Sequence, residues 1–255
     1  GSIARYGFAN VPTTYELVSW LGQQEGIPYI TDRRNGHDGN PTRVEFDTNG
    51  TMKTFLTEWR KLWQAGGLGN LTSGLSNEFA AGKVAMIVAS TSNLTTLLQS
   101  IDGRFELGAA YFPRVTEASD GGVNIGGGAL MTFDRGLDQI DAAWEFIKFA
   151  ASPEQQFIWF QQTGYFPVNT RTYELPQAQE FLKENPLFAV AINQMQDSNP
   201  ALQGLWVPSA YQIYYTFQNG IRDFLENNRN IDSTIASLAK EINTYLDDFN
   251  RANPE

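Results

Sequence analysis

Leu17, Trp20 and Leu21 recur at helical spacing behind Pro12, so residues 13–24 read as a helix that Gly26 ends. Proline suits a first helical turn because its missing amide has no partner there in any case. The runs Pro28 to Thr31 and Arg43 to Phe46 flank Asn35-Gly36 and Asp38-Gly39, a strong turn or hairpin signal. Met52, Phe55, Leu56, Trp59 and Leu62 mark an amphipathic helix stopped by Gly66-Gly67. After a Gly/Ser/Asn loop, the unbroken apolar run Val84 to Ala89 predicts a strand buried on both faces. Short strands are expected at Tyr6, over residues 106–112 and at the end of residues 124–131, with a short helix over 93–99.

From residue 139 the period changes. Helices with aromatic faces are predicted over 139–150 and 153–162, the second with Ser152 as N-cap and Pro153 at N1. Beyond Gly164-Tyr165-Phe166-Pro167 the pattern predicts helices over 176–183, 187–196, 211–227 and 233–250. The last of these sets Ile235, Leu238, Ile242, Leu246 and Phe249 on one face. Strands among helices followed by helices alone predict an α/β or α+β protein.

Composition narrows the chemistry. With 255 residues, 42% of them hydrophobic, the chain can bury a real core. A net charge of -10 and eighteen scattered basic residues leave no phosphate-tracking stripe, so nucleic acid is not an expected partner. The chain has no cysteine and one histidine, His37, which excludes thiol nucleophiles, disulfides and every two-histidine metal site. No cofactor or metal is expected. No apolar run approaches the roughly 20 residues a bilayer helix needs. The opening residues read as strand and lack the basic start and apolar core of a signal peptide. A removed targeting segment and a start in mid-protein, with Gly1 and Ser2 left from cloning, are both open readings.

Candidate sites are few. Twenty-eight carboxylates could supply a glycosidase-like pair, but sequence does not fix their separation. A serine triad would need His37, which sits among turn residues and reads as a surface histidine. Residues 32–40 have oxygen ligands but not the register of a calcium loop. Gly126-Gly127-Gly128 lacks the Lys-Ser/Thr of a P-loop and precedes a predicted strand, which suits a bend. The distinctive palette is aromatic residues beside small polar ones: Tyr15, Trp20, Tyr165, Trp206, Tyr211, Tyr214 and Tyr215. Aromatic faces pack on sugar C–H faces while amides and hydroxyls take the ring hydroxyls, although most single aromatics serve a core.

Six stretches in order resemble the family 1 extracellular solute-binding proteins of ABC importers, in particular the glycerol-3-phosphate branch and its sugar-binding relatives. They are Tyr6-Gly-Phe-Ala-Asn10, Asn35-Gly-x-Asp38-Gly, Phe79-x-x-Gly82-Lys-Val-Ala-Met86 with Ser90-Thr-Ser92, Ile125-Gly-Gly-Gly-Ala129, Ala142 to Phe149 with Ser152-Pro-Glu154, and Thr163-Gly-Tyr-Phe-Pro167. The resemblance implies an α/β, type II periplasmic-binding-protein-like fold of two lobes, here mainly the C-terminal lobe. It implies that residues 1–110 and 163–255 belong to that lobe and 111–162 to the other. It further implies an extracytoplasmic location, a membrane permease as partner and no catalytic role. Without its lobe partners, the 112–162 segment is expected to expose apolar surface and to self-associate or rearrange, and the chain alone to bind solute weakly or not at all.

The same resemblance suggests Asn10, Tyr15, Gly127, Gly128, Tyr165 and Trp206 as ligand-binding residues. The glycerol-phosphate branch has two tryptophans at the first helix, where Pro12 and Tyr15 align, and an arginine after Gly204-Leu205, where this chain has Trp206. Losing a guanidinium removes a bidentate phosphate partner, and gaining an indole adds a stacking face, so a neutral saccharide is expected. Glycerol 3-phosphate or a related phosphodiester is the alternative within the family. A glycoside-active enzyme and an interaction domain without a solute site are the alternatives outside it.

Overall fold

The computed structural model describes residues 5–10, 12–69, 74–117 and 121–254. Gly1-Ser2 and most of the expected Gly/Ser/Asn loop lie outside the described residues. By internal contacts the chain forms two units, one of Gly1–Val88, Phe112–Gly126 and Gln194–Glu255, the other of Ala89–Tyr111 and Gly127–Asn193.

In the first unit β1 (Tyr6–Ala9) pairs in parallel with β2 (Val84–Ile87), with Tyr6 opposite Val84 and Phe8 opposite Met86. A parallel pair needs a long crossover. The chain between them supplies α1 (Thr14–Gly22), the single turn α2 (Asp32–Gly36), α3 (Thr51–Gln64) and α4 (Leu75–Ala80). Thr13 caps α1: its hydroxyl accepts the Tyr15 amide, and Glu16 reaches back to the Thr13 amide to complete a capping box. α10 (Ala210–Glu226) and α11 (Ile231–Ala252) finish the unit.

Its core is aromatic. Trp20 stacks on Phe55 at 5.3 Å and packs 5.0 Å from both Trp59 and Phe112, while its indole N–H donates to the Pro113 carbonyl at 3.1 Å. Donation lets the ring be buried without stranding its one polar group. Ile213, Phe217, Ile221 and Phe224 of α10 are buried with Ile235, Leu238, Ile242 and Leu246 of α11. Each such side chain contributes about 1.5–3 kcal/mol on burial.

The second unit contains α5 (Leu94–Ile101), α6 (Leu137–Ala150), α7 (Pro153–Thr163), α8 (Pro176–Glu184) and most of α9 (Pro186–Asp197). Phe160, Phe181 and Phe188 meet edge-on with centroids 5.0–5.7 Å apart, the geometry the ring quadrupole favours. Gly164 ends α7 at φ 82°, and a Cβ there would lie 2.3 Å from the Thr91 carbonyl oxygen. Only glycine fits that turn.

Four sequence expectations fail. Residues 106–112 and 124–131 form no strand, since no neighbouring described strand offers them a ladder. β2 is not buried on both faces: Ala85 and Met86 are exposed in a sheet of two strands. Pro12 lies outside α1 because the Thr13 cap sets the start one residue later. The expected hairpin is reduced to one antiparallel bridge, Thr31 to Val44, around α2. Among the described residues no helix is long and apolar enough to cross a membrane.

Candidate functional site

Three of the suggested residues, Asn10, Tyr15 and Trp206, lie in the first unit, and Tyr15 sits beside the segment Val123–Gly126. Tyr15 stands on the first turn of α1, 58% exposed, its ring so close to Gly126 that a Cβ there would approach Cε1 to 2.7 Å. One turn further along α1, the Ser19 hydroxyl donates to the Asn124 Oδ1 at 2.8 Å. The Val123 amide donates to the Ser198 hydroxyl at 3.1 Å, and Gln23 Nε2 donates to the Gly122 carbonyl at 2.8 Å. Gly204 lies against the same segment, a Cβ there falling 3.7 Å from both the Asn124 side-chain Nδ2 and the Ile125 carbonyl oxygen. Two residues beyond Gly204, the Trp206 side chain is 74% exposed.

Trp206 is held from behind by α2. Arg33, Arg34 and Asn35 all have φ between 49° and 57°, the left-handed region, which costs non-glycine residues about 1–2 kcal/mol each. Asn35 secures the turn. Its Oδ1 accepts the Ile30 and Thr31 amides at 2.7 and 3.1 Å, its Nδ2 donates to the Gln203 carbonyl at 2.9 Å, and its own carbonyl accepts the Trp206 amide at 2.7 Å. Gly36 has no room for a side chain, because a Cβ would sit 1.8 Å from the Trp206 carbonyl oxygen. His37 Nε2 lies 2.8 Å from the Gly204 carbonyl. A surface histidine, as expected, it also ties the turn to the segment that carries Trp206. Strain held by over-determined surroundings is typical of positions that orient a site.

Asp32 closes the same loop, accepting from the Thr42 hydroxyl at 2.5 Å and the Thr42 amide at 2.9 Å. Burial pushes its carboxyl upward, but those two bonds, the Arg43 amide and the Arg33 charge outweigh it and hold the group below the ordinary carboxylate value. Asn10 is 6% exposed at the end of β1, and its buried Nδ2 has no hydrogen-bond partner among the described residues. A buried amide nitrogen without an acceptor is costly unless something else satisfies it. On α10, Tyr211 and Tyr215 are exposed with centroids 6.3 Å apart, and Tyr214 meets Tyr215 edge-on at 5.2 Å. Burial, Glu16 and the two neighbouring tyrosines push the Tyr214 phenol above its ordinary value.

The other three suggested residues fall in the second unit. Gly127 and Gly128 are exposed with open space around them. Tyr165 follows the Gly164 turn, 39% exposed, and stacks on Trp159 at 6.3 Å and 29°. Sequence reasoning missed Ser19, Asn124 and the buttressing role of Asn35. The Asn35-Gly36 pair signalled a turn, but nothing local indicated that its carbonyl would hold a residue far along the chain. Among the described residues no cluster of three or more His, Asp or Glu could hold a metal ion.

The model of the bacterial extracellular solute-binding protein family matches residues 4–190. The sn-glycerol-3-phosphate-binding periplasmic protein UgpB of Pectobacterium atrosepticum is 32% identical over 180 residues, 69% of this chain and 40% of that protein. Among solved structures, Mycobacterium tuberculosis UgpB in complex with glycerophosphocholine superposes with a TM-score of 0.72 at 19% identity, covering 98% of this chain and 60% of that one. The cyclic alpha-maltosyl-1,6-maltose binding protein of Arthrobacter globiformis gives 0.76 at 19% identity, covering 96% and 60%. The fold is therefore that of periplasmic binding proteins, and this chain spans less than two thirds of the length of each of these proteins. The family and these relatives are binding proteins rather than enzymes.

Proposed function

The chain belongs to the bacterial extracellular solute-binding proteins, and on that premise we propose that it is the solute-binding component of an ABC importer. It works outside the cytoplasm, takes up a neutral carbohydrate and presents it to a membrane permease. Closure on solute is a population shift driven by differential affinity, with no bond made or broken.

The observation that carries the neutral-sugar reading is Trp206, an exposed indole whose backbone is fixed by Asn35; the resemblance implies an arginine at this position in the glycerol-phosphate branch. Such a ring offers a flat apolar face and no charge for a phosphate. Asn10, Tyr15, Gly127, Gly128 and Tyr165 complete the proposed set. Tyr15 and Tyr165 supply further ring faces, the glycines supply open backbone groups, and the Asn10 amide supplies an unused donor. Exposure of Tyr165 and Trp206 also counts against a domain in which both serve only a core.

A second reading has its own support, since one of the similar proteins is named for glycerol 3-phosphate and another is seen in complex with glycerophosphocholine. Exposed indole and phenol faces attract a quaternary ammonium as well as a sugar ring.

Assignment of residues 1–110 and 163–255 to one lobe and 111–162 to the other is part of the proposal. Its support is that α6 buries none of its side chains, leaving Trp144, Phe146 and Phe149 exposed, as a segment destined for another surface would. With that surface open the chain self-associates.

A thermal-shift titration of the full-length protein tests the function, because bound solute raises stability by about 2.7 kcal/mol at a concentration 100 times Kd. The panel holds neutral oligosaccharides, glycerol 3-phosphate and glycerophosphocholine. A saccharide shift abolished by Trp206→Ala supports the sugar reading, and a shift with the phosphate esters alone replaces it with the second.

A further inference from the structure

A groove of about 550 Å³ runs between α10 and α11 in the first unit. It lies on the side of α10 that faces α11, and Tyr214 on the same helix does not line it. Tyr215, Asn219 and Gly220 line it from α10, and Ser237, Glu241 and Tyr245 from α11. Helical spacing explains the grouping: 215, 219 and 220 follow one face of α10, and 237, 241 and 245 repeat every fourth residue on α11. Gly220 lets the helices close at the floor, since a Cβ there would lie 2.5 Å from Leu238 Cδ2.

We propose that this groove is an accessory binding site for a neutral, polyhydroxylated ligand, a saccharide or polyol, separate from the Trp206 site. Glu241 is fixed in place: the Thr216 hydroxyl and the Tyr245 phenol both donate to its Oε1, at 2.8 and 2.9 Å. Its second oxygen receives no hydrogen bond from a described residue and is therefore an oriented acceptor for a pair of hydroxyls. Arg222 donates to Asn219 Oδ1 at 2.9 Å, which leaves the Asn219 NH₂ as a donor into the groove. Tyr215 and Tyr245 add ring faces for sugar C–H groups.

The charge balance selects the ligand class. Arg229, the cation lining the groove, is paired to Asp223 at 2.9 Å, so Glu241 sets the local sign and repels phosphates and carboxylates. Pre-positioned acceptors and donors with little enclosure predict millimolar affinity.

The test is a titration of the labelled protein followed by amide NMR, using maltotriose as the neutral probe and glycerol 3-phosphate as the anionic one. Maltotriose should move the amides of Asn219, Gly220 and Ser237 saturably, and Tyr215→Ala or Asn219→Ala should weaken that response about tenfold. Trp206→Ala should leave it unchanged, so failure of the Trp206 site and failure of the groove are separately visible. Both groove substitutions are at exposed positions, and an unchanged far-UV spectrum confirms the fold. Absence of a maltotriose response at these amides, an equal response to glycerol 3-phosphate, or a response lost with Trp206→Ala and kept in both groove variants overturns the proposal.

Discussion

The Asn35 carbonyl accepts the Trp206 amide at 2.7 Å, joining a left-handed turn near the start of the chain to an exposed indole more than 150 residues later. Asn35→Ala removes the acceptor for the buried Ile30 and Thr31 amides and leaves alanine in the left-handed region. Stability should fall by about 2–4 kcal/mol, read by urea denaturation. A change below about 0.5 kcal/mol would mean that the turn is not held by its hydrogen bonds.

Trp206→Ala should separate stability from binding. The side chain is largely exposed, so unfolding should move by no more than about 0.5 kcal/mol. Solute affinity should drop at least about tenfold, equivalent to about 1.4 kcal/mol. Calorimetry on both proteins decides, and equal affinities would remove Trp206 from the site.

Acid should loosen the loop from Asp32 to Val44. Asp32 has a folded pKa below its unfolded value near ~3.9, so it binds protons less readily when folded. Its contribution is complete above that unfolded value and is lost as pH falls through the folded one. Asp32→Asn should therefore flatten the decline of stability below about pH 4 while lowering stability at neutral pH. Parallel acid titrations of the two proteins by circular dichroism would show whether the curves converge.

Light scattering should find the chain self-associated, since Met131, Phe133, Leu137 and Trp144 are all exposed. Replacing Phe133 and Trp144 with serine should shift it toward monomer without loss of helix content. A monomeric parent with the same exposed residues contradicts the proposed self-association.

Helices were the legible part of the fold. Proline at N1, glycine or asparagine at the ends and an apolar stripe put α3, α6, α7, α10 and α11 within about two residues of the expected bounds. Those signals are local and survive without neighbours. Strands are not local: Glu106 to Phe112 has the composition of a strand, but a ladder needs a partner that the chain does not supply there. Of the candidate site, Tyr15 and Trp206 could be suggested from type and resemblance. Ser19, Asn124 and Asn35 could not, because their roles arise from hydrogen bonds across about 100 residues or more of sequence.

The bare surface of α6 also sets how long its order lasts. None of its fourteen residues is fully buried, and only Ile140, Ala143, Ile147 and Ala150 are half-buried along one stripe, so α6 leans heavily on its own hydrogen-bond ladder, which is marginal in water at that length. α11, with six buried side chains along its 22 residues, opens only when the core does. Its amides should resist deuterium until global unfolding, while those of α6 exchange early. The same chain thus contains one helix that the core maintains and another that is held by a thin half-buried stripe and its own ladder.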